Sequence, residues 1–189
     1  MLAYKYTNYL SDFNTNVSQE AVQAFIEKGA FTKSNAHCIY NGIDLAKFIY
    51  QEQQNISSTI SLLAIGRLNE QKDYPNLLHA LSLVIQQYPN IHLQIVGEGE
   101  LLTDINALIE QLQLADYVTL LGRRDDVPML MHQADCFILP SKYEGFGLVV
   151  AEAMASGAFV IATDCGGVKE VMGGTGLLVP PQNASMLAN

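Results

Sequence analysis

From Ile60 onward, the chain alternates short apolar runs with segments whose apolar residues repeat at helical spacing. The runs are ISLLAIG, IHLQIVG, YVTLLG, CFILP, FVIAT and GLLVPP. Apolar runs of this length are typical of strands buried on both faces, and strands that alternate with helices pair in parallel. The pattern predicts an α/β fold in which a Rossmann-like parallel sheet is sandwiched by helices.

The segments between these runs predict four helices. In the first two, apolar residues recur on one helix face: Leu77, Leu78, Leu81, Val84 and Ile85, then Leu101, Leu102, Ile105, Leu108, Ile109 and Leu112. The other two are predicted near Asp125 to Gln133 and from Leu148 to Ser156.

Residues 1–48 differ from the rest of the chain in their pattern of apolar residues. They contain one predicted helix, with Ser18 as its N-cap and Gly29 just past its end. A short strand from Cys38 to Tyr40 is expected to end in a turn at Asn41–Gly42.

The domain boundary is predicted at residues 49–59, where the polar run QEQQNISST has no periodicity and is typical of a linker. Residues 60–189 form the main domain. The alternation stops at Asn189, after a strand and the first residues of a possible helix. We therefore expect this domain to be truncated at its C-terminus.

Composition excludes several classes of function. The chain has 189 residues, 49% of them apolar and 15% charged, which is enough apolar material for one full core and excludes global disorder. Its 19 acidic and 10 basic residues give a net charge of −9, which disfavours nonspecific binding to nucleic acid or anionic lipid. A single small anion held by a few well-placed donors remains compatible with this charge.

Cysteines and histidines predict neither a metal site nor a disulfide framework, because their spacing matches no known ligand pattern. The residues concerned are Cys38, Cys136, Cys165, His37, His79, His92 and His132. The simplest interpretation is a reduced, cytoplasmic chain with structural histidines. No signal peptide or membrane span is expected, because no apolar run has the required length.

In open parallel sheets, ligands bind beyond the carboxyl ends of the strands. Gly66 and Arg67 end the first strand of the main domain and Lys72 follows closely, so two of the ten basic residues fall at one edge of the sheet. Such a pair suits a diphosphate. The alternative is that both are solvated surface charges.

Two further strand ends carry weaker signals. Gly97-Glu98-Gly99-Glu100 resembles part of a dinucleotide fingerprint but lacks its third glycine, so an ordinary strand-to-helix turn is favoured over a pyrophosphate loop. The same absence argues against an NAD-dependent enzyme. Gly122 and Arg123 follow the next strand and are candidates to line a base pocket through their backbone groups.

The strongest constellation is Ser141-Lys142-Tyr143-Glu144-Gly145-Phe146-Gly147, followed by a predicted helix that carries Glu152. Glycines before a helix N-terminus let backbone amides approach a phosphate, while carboxylates accept hydrogen bonds from sugar hydroxyls. The combination suits a sugar nucleotide. The alternatives are that Glu144 caps the helix and Glu152 faces solvent, or that the two form a glycosidase pair.

Gly166 and Gly167, with Glu170 three residues on, form either a further amide-lined wall of the site or an ordinary turn.

Taken together, four segments resemble the nucleotide-sugar-binding domain of retaining glycosyltransferases of group 1, whose two Rossmann-like domains face each other in the GT-B fold. They are GRLNEQKDYPNLLHAL, LQIVGEGEL, ADCFILPSKYEGFGLVVAEAMASG and IATDCGGVKEV. The resemblance covers residues 60–189 in order and implies the C-terminal, donor-binding domain. TNVSQEAVQAFIEKG and IYNGIDLAKF resemble the end of the acceptor-side domain and the interdomain passage, which assigns residues 1–48 to that region.

The resemblance implies a role for each matching residue. Arg67 and Lys72 would stabilise the leaving diphosphate, and Glu144 would complete the catalytic group by holding the sugar hydroxyls. Glu152 would bind the ribose. The remaining donor-binding residues would contact the base, sugar and phosphate: Gly66, Gly122, Arg123, Gly145, Phe146, Gly147 and Leu148.

The resemblance also implies retention of anomeric configuration with no metal or other cofactor, and Asp125 and Asp126 are adjacent rather than spaced as an Asp-x-Asp pair. The expected donor is a UDP- or GDP-sugar, and the acceptor a glycan, a lipid-linked or a small-molecule hydroxyl bound by the other domain. Two departures from the family pattern stand out: Asp73 where glycine is frequent, and Phe159 where proline is frequent.

Two functions stay open. One is a hexosyltransferase of glycan or polysaccharide biosynthesis, cytoplasmic and in its full-length form able to associate peripherally with the membrane. The other is a nucleotide-sugar-binding module that is inert alone. In either case the fragment by itself is expected to be inactive.

Overall fold

The computed structural model describes residues 2–50 and 58–189, and most of the predicted linker lies outside these ranges. Two short strands belong to a small parallel sheet: β1 Asn14–Asn16 and β2 Ala36–Cys38. Six strands form the main sheet: β3 Ile60–Ile65, β4 Ile91–Val96, β5 Val118–Gly122, β6 Cys136–Leu139, β7 Phe159–Thr163 and β8 Leu177–Val179. All six runs predicted to be strands are therefore confirmed.

The main sheet has the strand order β5-β4-β3-β6-β7-β8, and every neighbouring pair is parallel. Starting from β3, the chain adds β4 and β5 on one side and then crosses back to add β6, β7 and β8 on the other. The direction of winding thus reverses between β3 and β6. This topology confirms the predicted Rossmann-like α/β fold.

The helices lie between and beside these strands. They are α1 Leu2–Thr7, α2 Gln19–Glu27, α3 Tyr74–Val84, α4 Leu102–Gln111, α5 Val127–Gln133, α6 Leu148–Ala155, α7 Val168–Met172 and α8 Ala184–Ala188. Two short 3₁₀ helices cover Asn8–Leu10 and Glu70–Lys72. In the ranges that the structure describes, no helix is long and apolar enough to cross a membrane.

Each face of the sheet buries its own apolar cluster. On one face, Leu78 of α3 and Ile105 of α4 pack with strand residues such as Leu93. On the other face, residues of α5, α6 and α7, such as Val150, pack with strand residues such as Phe137. The central strand β6 is buried along its whole length because helices cover both faces of the sheet, as its apolar run predicts, whereas the edge strands β5 and β8 are more exposed.

Residues 2–50 pack against the main domain at α7 and at Phe146. The N-cap role predicted for Ser18 is confirmed, since its hydroxyl accepts a hydrogen bond from the Ala21 amide at 3.1 Å. The predicted strand at Cys38–Tyr40 is displaced to Ala36–Cys38, where the backbone pairs with β1. The turn predicted at Asn41–Gly42 is wrong, since the chain turns at residues 45–47 with the Lys47 amide donating to Asp44.

Candidate functional site

The strand order reverses between β3 and β6. In sheets of this topology ligands bind at the carboxyl ends of the two strands on either side of the reversal, a region here called the crevice. The loop after β3 runs from Gly66 to Asp73, and the loop after β6 runs from residue 140 to Gly147. Backbone and side chain join the two loops: the Lys142 amide donates to the Gln71 carbonyl at 2.8 Å, and the Gln71 side-chain amide donates to the Tyr143 carbonyl at 3.0 Å. These hydrogen bonds join the two loops into one unit, and the part of it that holds Lys72 and Glu144 is here called the crevice floor.

Lys72 and Glu144 form an ion pair across this crevice, with Nζ 2.5 Å from Oε1. The side chains are only 16% and 10% exposed, so the pair is largely removed from water. The carbon chain of Lys72 lies over Gly66, where a Cβ would come within 2.8 Å of the Lys72 Cε. Gly66 thus leaves the space that Lys72 occupies.

Further polar contacts hold Glu144 in place. The Ser141 hydroxyl, which is fully buried, donates to the same Oε1 at 2.8 Å. The Thr163 hydroxyl at the end of β7 donates to the Ser141 carbonyl at 2.6 Å and is itself buried. The sequence predicts no role for either hydroxyl, although Ser141 begins the constellation that contains Glu144. The sequence does place each beside a strand end, but it does not show that they meet.

Arg67 has very different surroundings. Its guanidinium lies 3.2 Å from the Glu100 carboxylate, and the two side chains are 71% and 57% exposed. The structure therefore places Arg67 at the mouth of the crevice, paired with the loop after β4, while Lys72 lies on its floor. Both predicted cations follow β3, but only Lys72 is held by buried partners.

The residues Gly145, Phe146 and Gly147, here called the glycine loop, lead directly into α6. Gly147 has φ of +84°, the left-handed region that favours glycine, and α6 begins at Leu148. Within the described ranges, the backbone N–H groups of the glycine loop donate no hydrogen bond to the chain. Amides that are free beside a helix N-terminus are suited to bind an anion.

Glu152 lies in the second turn of α6. It is partly buried, and among the described residues its carboxylate has no hydrogen bond or ion pair. Burial raises the pKa of Glu152 above its ordinary value. An unpaired carboxylate in such surroundings is costly, as expected from its apolar sequence context.

Gly122 ends β5 with φ of +63°, and its carbonyl accepts a hydrogen bond from the Gly97 amide at 2.9 Å. The Arg123 side chain after it is exposed. Its neighbour Arg124 is held by Asp126 through two hydrogen bonds of 2.6 and 2.8 Å. The structure thus keeps both predicted residues at the carboxyl edge, on the β5 side of the crevice.

Three further glycines near the crevice allow close packing of loops. A Cβ on Gly97 would collide with the Gly66 carbonyl oxygen, and one on Gly99 would collide with the Leu68 backbone. The favoured interpretation of Gly97 and Gly99 as an ordinary strand-to-helix turn agrees with these contacts. Gly166 similarly lies against the Glu144 carbonyl, which makes the loop after β7 a support for the loop after β6.

In the ranges that the structure describes, His, Cys, Asp and Glu side chains form no group of three that could hold a metal ion. His92 shares a hydrogen bond of 2.9 Å with Thr119, and the His37 ring stacks on Phe13 with centroids 4.1 Å apart. These two histidines therefore contact structural neighbours outside the crevice.

Comparison with known proteins identifies the class to which this fold and crevice belong. The family model described as glycosyl transferases group 1 matches residues 59–189. This chain belongs to that family, and its sheet domain corresponds to the C-terminal half of GT-B structures.

Two curated relatives show how much of a longer protein the chain spans. An uncharacterised glycosyltransferase of Methanocaldococcus jannaschii is 30% identical over 87% of this chain and 43% of its own length. The glycogen synthase of Mycobacterium tuberculosis is 33% identical over 79% of this chain and 37% of its own length. The chain thus spans less than half the length of these relatives.

Solved structures also extend well beyond the length of this chain. The Anabaena protein HepE, in complex with UDP and glucose, superposes with a TM-score of 0.88 at 28% identity and covers all of this chain and 55% of its own. Sucrose-phosphate synthase from Thermosynechococcus elongatus superposes at 0.85 with 29% identity, over all of this chain and 50% of its own.

The structure explains the two departures from the family pattern. Asp73 has φ of +48°, a left-handed conformation in which glycine is the least strained residue, and its buried carboxylate is 4.0 Å from the Lys142 Nζ. Phe159 opens β7 and donates its amide to the Asp135 carbonyl at 3.3 Å, a bond that proline could not form. Asp73 therefore makes a side-chain contact that glycine could not make, and Phe159 makes a backbone hydrogen bond that proline could not make.

Proposed function

We propose that this chain is the donor-binding part of a retaining glycosyltransferase that moves a hexosyl group from a nucleoside-diphosphate sugar to a hydroxyl acceptor. The observation that carries the proposal is the buried Lys72–Glu144 ion pair on the crevice floor. It places a cation and a carboxylate together beside the free amides of the glycine loop. A diphosphate sugar presents anionic oxygens that suit the cation and hydroxyl groups that suit the carboxylate.

In the proposed reaction, the bond between the anomeric carbon and the diphosphate oxygen breaks, and the acceptor oxygen bonds to that carbon on the same face. The acceptor proton leaves with the product diphosphate. Lys72 and Arg67 stabilise the negative charge that develops on the diphosphate, and the glycine-loop amides hold its oxygens. No residue of this chain is assigned the binding of the acceptor.

Two carboxylates are assigned to the sugars. Glu144 accepts hydrogen bonds from donor-sugar hydroxyls through the oxygen that Lys72 does not occupy. Glu152 accepts from the ribose hydroxyls, which would give its partly buried carboxylate the partners that it lacks. Gly66 and the backbone of Gly122 and Arg123 line the remainder of the donor site, with Leu148 at the start of α6.

We take UDP- and GDP-sugars as the first donors to test, since HepE has been solved with UDP-glucose. The acceptor is a glycan, lipid-linked or small-molecule hydroxyl of glycan or polysaccharide biosynthesis. Three free cysteines favour the cytoplasm as the compartment, where the full-length enzyme is able to associate peripherally with the inner face of the membrane.

The experiment is a calorimetric titration of the chain with UDP-, GDP- and ADP-sugars, with a transfer assay on the same preparation. Binding of one nucleotide sugar with a Kd in the micromolar to low millimolar range supports the proposal, and the panel identifies the base. Glu152→Ala should weaken that binding. Unchanged affinity in this variant would refute the ribose contact, and no binding of any nucleotide sugar would refute the proposed function.

A second function, a binding module that is inert alone, is favoured by one observation: the chain spans only 37% to 55% of the relatives described above. Binding without transfer by this chain supports the module. Transfer to water or to an added acceptor hydroxyl supports the enzyme.

A further inference from the structure

Helix α7 and the two glycines before it lie directly against the glycine loop. Gly167 approaches the Gly145 carbonyl so closely that a Cβ would come within 2.7 Å of its oxygen. A Cβ on Gly147 would lie 3.1 Å from the Val168 side chain. The start of α7 therefore limits the positions that the glycine loop can adopt.

On its other side, α7 contacts the segment of residues 2–50 through Glu170. The Glu170 carboxylate accepts hydrogen bonds from the Gln19 amide at 2.9 Å, the Glu20 amide at 2.9 Å and the Tyr40 hydroxyl at 3.1 Å. Partial burial acts to raise the pKa of Glu170, but these three donors outweigh it and the pKa is lowered. The first two donors are N–H groups at the start of α2, where a carboxylate is favoured by the helix dipole.

Residues 2–50 also contact the glycine loop and its support directly. The Tyr40 ring packs on the buried Phe146 ring with centroids 5.9 Å apart. Ser18, fully buried at the start of α2, lies so near Gly167 that a Cβ there would come within 2.7 Å of the Ser18 Cβ. Tyr40 thus contacts Glu170 through its hydroxyl and the glycine loop through its ring.

From these contacts we propose that Glu170 is a positioning residue that couples the docking of α2 and Tyr40 to the conformation of the glycine loop. The proposal rests on the proposed function, because it assigns the glycine loop to the donor. Glu170 does not touch the donor. It holds α7 between α2 and the glycine loop, so that ordering the loop with a ligand and docking α2 favour each other.

Coupling of this kind is reciprocal. If docking α2 strengthens donor binding, donor binding must stabilise the docked α2 by the same factor. UDP-glucose should therefore slow hydrogen exchange at the Gln19 and Glu20 amides, which lie about 150 residues away in sequence from Glu170. A purely structural contact would leave this exchange unchanged when the ligand binds.

The experiment compares wild type with Glu170→Gln, which keeps the shape of the side chain but loses its charge. Glu110→Gln, at an exposed position on α4, is the matched control. Glu170→Gln should weaken UDP-glucose binding about fivefold to tenfold and abolish the ligand-induced protection of Gln19 and Glu20. UMP lacks the β-phosphate and the sugar, so its affinity, measured by competition, should change less than twofold.

A second pair of variants, at Tyr40, separates the loss of coupling from a general loss of folding. Tyr40→Phe removes the hydroxyl bonded to Glu170 but keeps the ring on Phe146, whereas Tyr40→Ala removes both. Donor affinity should fall in the order wild type, Tyr40→Phe, Tyr40→Ala. Equal effects of Glu170→Gln on UDP-glucose and UMP, or unchanged protection in that variant, would overturn the proposal while leaving the proposed function intact. Failure of wild type to bind any nucleotide sugar would instead overturn the proposed function.

Discussion

Two cations follow the same strand, yet they occupy opposite environments. Arg67 and Glu100 form an exposed pair at the mouth of the crevice, whereas Lys72 and Glu144 form a pair that is largely excluded from water on its floor. Exposed pairs contribute little to stability and are screened by salt. A buried pair is coupled to the fold, because loss of one partner leaves the other charge uncompensated.

In the proposed donor site, the difference would separate two tasks of diphosphate binding. The floor holds one cation and one carboxylate in fixed positions before any ligand arrives, which limits the reorganisation needed on binding. At the mouth, the exposed Arg67 would exchange Glu100 for a phosphate oxygen of the proposed donor. Changes on the floor should therefore affect both stability and binding, and changes at the mouth should affect binding alone.

The largest effect is expected for Lys72→Met, which keeps a long carbon chain over Gly66 but removes the charge. The Glu144 carboxylate would be left buried without its cation, so the free energy of unfolding should fall by about 3–5 kcal/mol. Donor binding should become undetectable. Urea denaturation and calorimetry measure both, with Lys33→Met at an exposed position as the control. A stability within about 0.5 kcal/mol of wild type would show that the floor is not coupled to the fold.

Arg67→Ala should lower donor affinity by about tenfold, equivalent to about 1.4 kcal/mol, because one phosphate contact is lost. Its free energy of unfolding should stay within about 0.5 kcal/mol of wild type. Arg124→Ala removes the other exposed arginine pair, with Asp126, and should leave donor affinity unchanged. The same titrations and denaturation curves test this, and a loss of stability in Arg67→Ala would remove the distinction between mouth and floor.

Glu152→Gln should stabilise the unliganded chain while it weakens donor binding. At neutral pH the variant no longer buries an unpaired charge, and its melting temperature should rise by about 1–4 °C. Burial raises the pKa of Glu152 in the folded chain above its ordinary value of 4.5. The destabilisation caused by the unpaired charge in wild type is therefore absent below pH 4.5 and grows as the pH rises through the folded pKa.

Thermal melts at several pH values provide the test for Glu152. The gain in the variant should be full at neutral pH and should disappear as the pH falls to about 4, where the wild-type carboxyl is protonated in both states. A lower melting temperature for the variant at pH 7 would mean that Glu152 already has a favourable partner in the unliganded chain.

The smallest effect concerns Glu100→Gln, which frees Arg67 from its exposed pair. Donor affinity should rise about twofold to threefold at low salt, and the gain should vanish near 0.5 M salt because exposed charges are then screened. Glu98→Gln, on the same loop, is the control. Salt-dependent titration is the measurement, and a gain that persists at high salt would argue against a simple electrostatic competition.

The sequence predicts the sheet well because the central strands, such as β3 and β6, are largely buried and carry apolar runs. The edge strands β5 and β8 are more exposed, but they keep enough apolar residues to be recognised. Helix α7 was missed, since five residues are too few to show a helical period. Strand β1 was also missed; its residues Asn14–Asn16 are polar, and its partner strand lies in a region with no apolar run.

For the site, position after a strand was sufficient to nominate Lys72 and Glu144, which the structure brings into contact. Sequence could not show that Lys72 is buried and Arg67 exposed, since both follow β3. Nor could it reveal the bonds between Glu170 and α2, whose partners are 150 and 151 residues apart. Such differences depend on how distant loops pack, which local pattern does not encode.

One feature of the β3 and β4 loops limits how this site can change. Gly97 and Gly99 place the two backbones in direct contact, and the Leu68 amide and carbonyl bond Glu98 and Leu101 at 2.9 and 3.0 Å. A side chain at either glycine would collide with the backbone of the β3 loop. Substitutions at these two positions therefore cannot change the shape of this side of the crevice. Alteration of donor preference by design should therefore begin at the β6 side, where exposed Tyr143 and Leu148 leave room for substitution.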